Sequence, residues 1–182
     1  RYKVLSNGEE NKSIEVKFIN DAEVGDECIS MPITPASIQI TANTKAGIIY
    51  GMQSLFQTLP DIRTNAALLI PCMEIKDYPR FKWRGMHLDV SRHFFNTAFI
   101  KRYLDLLAMY KINTFHWHLT DSHGWRLEIK QYPKLTSVGA WRADRTGIPM
   151  AIAEVTQANE PATYGGFYSQ EEVKEIIQYA TE

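Results

Sequence analysis

The 182-residue chain is 45% hydrophobic and 12% aromatic, the profile of a globular protein with one or two domains. Its 20 basic and 21 acidic residues leave a formal charge of −1 without any basic block, so nothing points to nucleic acid or an anionic membrane surface. No apolar run approaches the ~20 residues that span a bilayer, and the two cysteines, Cys28 and Cys72, are too few and too far apart for a zinc motif and read as buried free thiols.

SIEVKFI (13–19) alternates, with Ile14, Val16 and Phe18 on one side and Glu15 and Lys17 on the other, which predicts a half-buried strand. ISMPI (29–33) and SIQITA (37–42) predict two more, joined by a turn at Thr34-Pro35. In AGIIYGMQSLFQTL (46–59), Ile49, Met52, Leu55, Phe56 and Leu59 follow helical spacing. Asn43 or Thr44 can cap the start, and Pro60 stands at the end. ALLIPCMEI (67–75) predicts a fourth strand. Residues 1–78 thus read as an α+β domain, strands packed on one helix. Gly25-Asp26-Glu27 lies between two of its strands and reads as a turn.

Asp77-Tyr78-Pro79-Arg80 breaks the pattern and predicts a domain boundary, with residues 79–182 forming a second domain. KWRGMHLDV (82–90) reads as a buried strand. NTAFIKRYLDLLAMY (96–110) reads as an amphipathic helix with Phe99, Ile100, Tyr103, Leu104, Leu107 and Tyr110 on one side. Residues 113–120 predict another strand, and a long polar loop follows. Ser169 and Glu172 form a capping box at the start of a last helix, whose apolar stripe is Val173, Ile176, Ile177 and Ala180. Strand, helix, strand, loop, helix is the unit of a parallel α/β fold. A closed (β/α)₈ barrel needs ~250 residues, and far fewer follow residue 78, so the expectation is a fragment of something longer.

HWHLTDSHGW (116–125) holds three of the five histidines. Strand alternation puts His116, His118 and Thr120 on one face and Phe115, Trp117 and Leu119 on the other. The pair His116-x-His118 fits a metal site only if a third ligand exists, and none is evident beyond Asp121 or His123. Buried scaffold histidines are the simpler reading, and neither metal nor cofactor is expected. Asp121 and Arg92 each lie just past a strand, where α/β folds keep their sites. Guanidinium and carboxylate groups suit the vicinal hydroxyls of a sugar. A surface ion pair is the competing reading for Arg92.

PRFKWRGMHLDVSRHFF, NTFHWHLTDSHGWRLEIKQYPKL, GAWR and YGGFYSQEEVKEIIQYA resemble family 20 glycoside hydrolases, the β-N-acetylhexosaminidases. AGIIYGMQSLFQTLP resembles the helix of the small domain before their barrel. The resemblance implies the first β/α units of a (β/α)₈ TIM barrel, with the remainder of the barrel as partner. It implies glycan substrates ending in N-acetylhexosamine, and a secreted, periplasmic or lysosomal setting. Cleavage would retain configuration, with the sugar's own acetamido oxygen as nucleophile. On this resemblance Arg92, in the D-x-S/A-R-H motif, and Asp121, after H-W-H-L-x, bind substrate. Ser122 and His123 depart from the aspartate and glutamine common there. The family's catalytic Asp-Glu pair, in H-x-G-G-D-E, does not occur in these residues and is expected beyond Glu182. Two rival readings are a non-catalytic carbohydrate-binding or scaffold module, and a metal-dependent barrel hydrolase using His116 and His118.

Overall fold

The computed structural model describes residues 13–59, 70–148 and 159–181, and the chain divides into two compact units at Trp83 and Arg84. The first unit holds one sheet of four strands, β1 Ser13–Phe18, β2 Ile29–Ile33, β3 Ser37–Ala42 and β4 Met73–Asp77, in the order β1-β3-β2-β4. β2 and β3 form an antiparallel hairpin. It is closed by the Thr34 N–H and hydroxyl, which both donate to the Ser37 carbonyl, at 2.9 and 3.0 Å. The ladder from β2 to β3 pairs Ile29, Ser30 and Ile33 and skips Met31 and Pro32, the second of which has no N–H to give. β4 is displaced from the expected 67–75. It begins at Met73, after Pro71, and runs on to Asp77, while residues 67–69 lie outside the described residues.

Helix α1, Lys45–Thr58, lies over β2 and β3. Thr44 is its cap, accepting from the Gly47 N–H at 3.2 Å. Asn43 instead braces the preceding loop by donating to the Asp21 and Val24 carbonyls. The buried face is Gly47, Gly51, Ser54 and Leu55; of the stripe expected from large residues Leu55 and Met52 join the core, whereas Ile49 and Phe56 are exposed. The glycines explain the rotation: a Cβ on Gly51 would stand 2.5 Å from Ile40 Cγ2, so the helix rides close to β3 on that edge. The core is Ile29, Met31, Ile33, Ile40, Ala42 and Leu55. β1, at the sheet edge and parallel to β3, is exposed throughout, so its alternation does not mark a buried face. Gly25-Asp26-Glu27 is a turn as expected, closed by the Cys28 N–H donating to the Gly25 carbonyl at 3.0 Å. Both thiols are free, but Cys72 is exposed rather than buried.

In the second unit β5 Gly85–Asp89, α2 Thr97–Met109 and β6 Thr114–His118 form the expected strand–helix–strand, with β5 and β6 parallel, although β5 is shorter than the expected 82–90 and Gly85, Met86 and His87 are exposed rather than buried. Asn96 caps α2 by accepting from the Phe99 N–H at 2.9 Å. α4, Gln170–Thr181, starts on the expected capping box: Glu172 N–H donates to Ser169 Oγ at 3.1 Å and Ser169 N–H to Glu172 Oε2 at 2.8 Å. α2 packs on α4, with Lys101 on Glu175 and the Tyr179 hydroxyl on Asp105. Ile100, Leu107 and Ile176 are buried, whereas Phe99, Tyr110 and Ile177 are not. Val90, Ile100, Tyr168 and Ile176 make the core, with Leu88, Phe115, Trp117 and Leu119 against it.

The segment expected as a polar loop is shaped by short elements. β7 Thr120–Asp121 and β8 Gly124–Trp125 form a tight hairpin, α3 spans Lys134–Ser137, and β9 Trp141–Arg142 pairs with β10 Tyr164–Gly165. Two-residue strands carry no periodicity, so the sequence gives no pattern to detect. Among the described residues no helix is long and apolar enough to cross a membrane.

Candidate functional site

Register sets the site. In the parallel pair, Asp89 stands opposite His118 and His87 opposite His116. Since Leu88, Phe115 and Trp117 turn to the helices, the three histidines and Asp89 share the other face. β5 ends at Asp89, and the chain turns at once: Asp89 Oδ1 accepts the Ser91 and Arg92 N–H groups at 2.9 and 3.0 Å. That turn throws the Arg92 side chain back over the strand ends. Its Nη1 donates to Asp89 Oδ2 at 3.2 Å and to Asp121 Oδ2 at 2.5 Å. Arg92 and Asp121, expected to meet above adjacent strand ends, are thus in direct contact. Each side chain retains about a quarter to a third of its exposure (26% and 32%), so a ligand can reach them.

His118 joins this network rather than acting as mere scaffold. Its Nε2 lies 3.0 Å from Asp121 Oδ2 and 3.3 Å from Arg92 Nη1. A carboxylate only accepts, so the Nε2 proton points at Asp121. Arg92 and His118 therefore donate side by side to one oxygen, while Asp121 Oδ1 takes the Ser122 N–H at 2.7 Å. The Ser122 N–H, then His118, then Arg92 hold the Asp121 carboxyl well below the usual carboxylate range. Burial raises the Asp89 carboxyl, but the backbone N–H and guanidinium of Arg92 outweigh it and keep it below its ordinary value. Asp121 is therefore expected to remain ionised wherever an unperturbed aspartate would begin to protonate, near ~3.9. Because its folded pKa is depressed, the stability it contributes is complete above ~3.9 and is lost as pH falls through the lowered value. Carbon NMR of the Asp121 carboxyl checks this, and a midpoint at or above ~4 would count against the network.

His87 supplies what the sequence did not reveal, a third imidazole beside His116 and His118. The three ligating nitrogens lie within 4.8 Å of one another, and His87 and His116 meet edge to face at 4.7 Å. The geometry is loose for an ion that binds nitrogen at ~2.0–2.1 Å, and the Arg92 guanidinium beside His118 opposes a second cation. The expected result is less than one zinc per chain after dialysis against micromolar zinc. A stoichiometric ion, released by chelator and absent from His87→Leu, would reverse that reading.

Two arginines hidden in the sequence as ordinary charges complete the frame. Arg126 is fully buried and donates to four backbone carbonyls, Val90 at 3.0 Å, Ser91 at 2.7 Å, Gly166 at 3.0 Å and Ala140. Gly124 makes room for it, since a Cβ there would fall 2.3 Å from the guanidinium carbon. Arg142 donates to the Arg92 carbonyl at 2.7 Å and lies over the Tyr164 ring at 4.7 Å. Ser91 Oγ donates to the Gly124 carbonyl at 2.9 Å, tying the Arg92 turn to the hairpin that carries Asp121.

The family model for glycosyl hydrolase family 20, catalytic domain, matches residues 81–182, and the one for domain 2 of that family matches residues 2–78. A beta-hexosaminidase of Porphyromonas gingivalis is 44% identical over 80% of this chain and 18% of its own length, and one of Vibrio furnissii 45% over 80% and 23%. The structure of an exo beta-N-acetylglucosaminidase from Vibrio harveyi, in complex with N-acetylglucosamine, is 40% identical with a TM-score of 0.76, over 91% of this chain and 25% of that one. The N-acetyl-beta-hexosaminidase of Streptomyces plicatus is 36% identical with a TM-score of 0.75, over 92% and 31%. The chain spans roughly a fifth of the length of those curated relatives. These likenesses establish the expected fold class, a small α+β unit followed by the first β/α units of a (β/α)₈ barrel. Matched by both models along nearly its whole length, the chain belongs to glycosyl hydrolase family 20.

Proposed function

We propose that this chain is part of a β-N-acetylhexosaminidase that removes terminal N-acetylglucosamine or N-acetylgalactosamine from glycans, with Arg92 and Asp121 binding the sugar. The observation that carries the reading is the Arg92–Asp121 pair at the carboxyl ends of two parallel strands, in a chain 40% identical to an enzyme solved with N-acetylglucosamine. Among the described residues the hydrogen bonds that the Arg92 guanidinium donates, to Asp89 and Asp121, both run through Nη1. Nε and Nη2 keep their protons for vicinal hydroxyls, and the Asp121 carboxylate, with room for about four donors, can accept from one of them. His118 and Ser122 fix the carboxylate so that it offers those lone pairs without rearranging.

On the family's pattern the reaction's acid, its base and the group that orients the acetamide come from residues not in this sequence, and the acetamido oxygen serves as nucleophile. The role of this chain's residues is binding and orientation. The test uses the full-length protein on a chromogenic N-acetylglucosaminide and on the matched glucoside. Release from the acetamido sugar at least ~10²-fold faster is expected. Equal rates would remove the substrate-assisted reading, and binding without turnover would favour the carbohydrate-binding module.

A further inference from the structure

The geometry points to Arg142 and Arg126 as positioning residues that aim Arg92 at the sugar. The inference rests on the proposed function and goes beyond it by assigning the parts that hold the binding residue in place.

The chain leaves β5 at Asp89, so the next carbonyls have lost the strand ladder and need donors. Three consecutive carbonyls find them on buried or half-buried guanidinium groups. Arg126 takes Val90 and Ser91, and Arg142 takes Arg92 itself. Arg92 is thereby gripped at both ends, its carbonyl by Arg142 and its Nη1 by Asp89 and Asp121. The two clamps are linked to each other. Arg126 donates to the carbonyl of Ala140, beside β9, which carries Arg142, and the Arg142 guanidinium lies over the ring of Tyr164, its register partner in β10, with its central carbon 4.7 Å from the ring centre. The Tyr164 hydroxyl in turn lies 3.4 Å from His93 Nδ1, the residue after Arg92.

No carboxylate hydrogen-bonds Arg126 among the described residues; its partners are four carbonyls from three separate stretches of chain. A surface arginine seeking an ion pair has no use for that arrangement, whereas a group that must fix several backbone segments at once does. Burial pushes its pKa below the ordinary arginine value, yet the group stays a cation. Displacing a binding group by ~1 Å can cost ~10²-fold in rate, and the arginine clamps act on the backbone from which Arg92 projects.

The test is a double-mutant cycle in the full-length protein, reading kcat and KM on a chromogenic N-acetylglucosaminide together with Tm. It uses Arg142→Ala, Arg142→Lys, Arg92→Ala and the two double variants. Arg142 is chosen over Arg126 because truncating a fully buried arginine is apt to unfold the unit. Arg142→Ala is expected to lower kcat/KM at least ~10-fold with the wild-type Arg92 present, but less than ~2-fold when Arg92 is already alanine, since it acts through that side chain. Arg142→Lys, which keeps the charge but lacks the guanidinium over Tyr164, is read by the same criterion should the alanine variant not fold. Equal losses in both Arg92 backgrounds, or no loss in the wild-type background, would overturn the positioning role. An inactive wild-type protein would instead overturn the proposed function, so the two failures are told apart.

Discussion

The 182-residue chain expressed alone is expected to give no detectable release of chromophore from an N-acetylglucosaminide. The H-x-G-G-D-E motif that carries the family's acid and its acetamide-orienting aspartate is absent from this sequence. General acid catalysis by itself contributes ~10²–10⁴-fold, and loss of acetamide orientation removes the intramolecular attack as well. Among the residues present, the carboxylates nearest the site are Asp89 and Asp121. Both are tied to Arg92 and held below their ordinary pKa, so neither keeps a proton to donate near neutral pH. Asp26 and Glu27 lie in a turn of the other unit, with no His-x-Gly before them. The assay is a fixed-time measurement at high enzyme concentration, with the full-length protein as reference. Turnover within ~100-fold of that reference would mean that this chain carries its own acid, and would return attention to those four carboxylates.

What the sequence made legible was local. The Ser169–Glu172 capping box, the Thr44 cap and the turn at Gly25-Asp26-Glu27 depend on residues three or four apart, and all three form as expected. The alternation of 115–119 correctly separated the helix-facing Phe115 and Trp117 from His116 and His118. Arg92 and Asp121 were placed by their position after strands, a rule about topology that needs no contact map. What was missed depends on register or close approach. His87 meets His116 only because the parallel pairing aligns them. The buried face of α1 turned toward Gly47 and Gly51 because small residues let a helix approach a sheet, which a count of large apolar residues cannot show. Arg126 reads as solvated surface in a sequence, since arginine is almost never fully buried unless paired. Its partners are carbonyls, and backbone geometry leaves no mark in residue type. Asp89 had a signal, the first position of D-x-S-R-H, but its role as acceptor for two backbone N–H groups and for Arg92 emerges only from the turn.

Replacing Arg92 is expected to have the largest effect on activity of any single substitution at the site that leaves the fold intact. In the full-length protein Arg92→Ala should lower kcat/KM at least ~10-fold, because a hydrogen bond to a charged group is worth ~1.5–3 kcal/mol and ~1.4 kcal/mol is tenfold. The structure adds a second loss. Without the guanidinium, Asp89 and Asp121 face each other across the strand ends with one fewer cation between them, and among the described residues Asp121 keeps His118 and the Ser122 N–H. Both carboxylates are about 30% exposed (30% and 32%), so water screens their repulsion and the fold is expected to survive with a small fall in Tm. Arg92→Lys separates binding from charge. A lysine nitrogen placed between Asp89 and Asp121 would satisfy both carboxylates, as Nη1 does now, but would leave nothing corresponding to Nε and Nη2 for the sugar. The lysine variant should therefore recover Tm and recover little of kcat/KM. If Arg92→Ala left kcat/KM within twofold of wild type, the ion pair would be structural alone and the sugar would have to bind elsewhere.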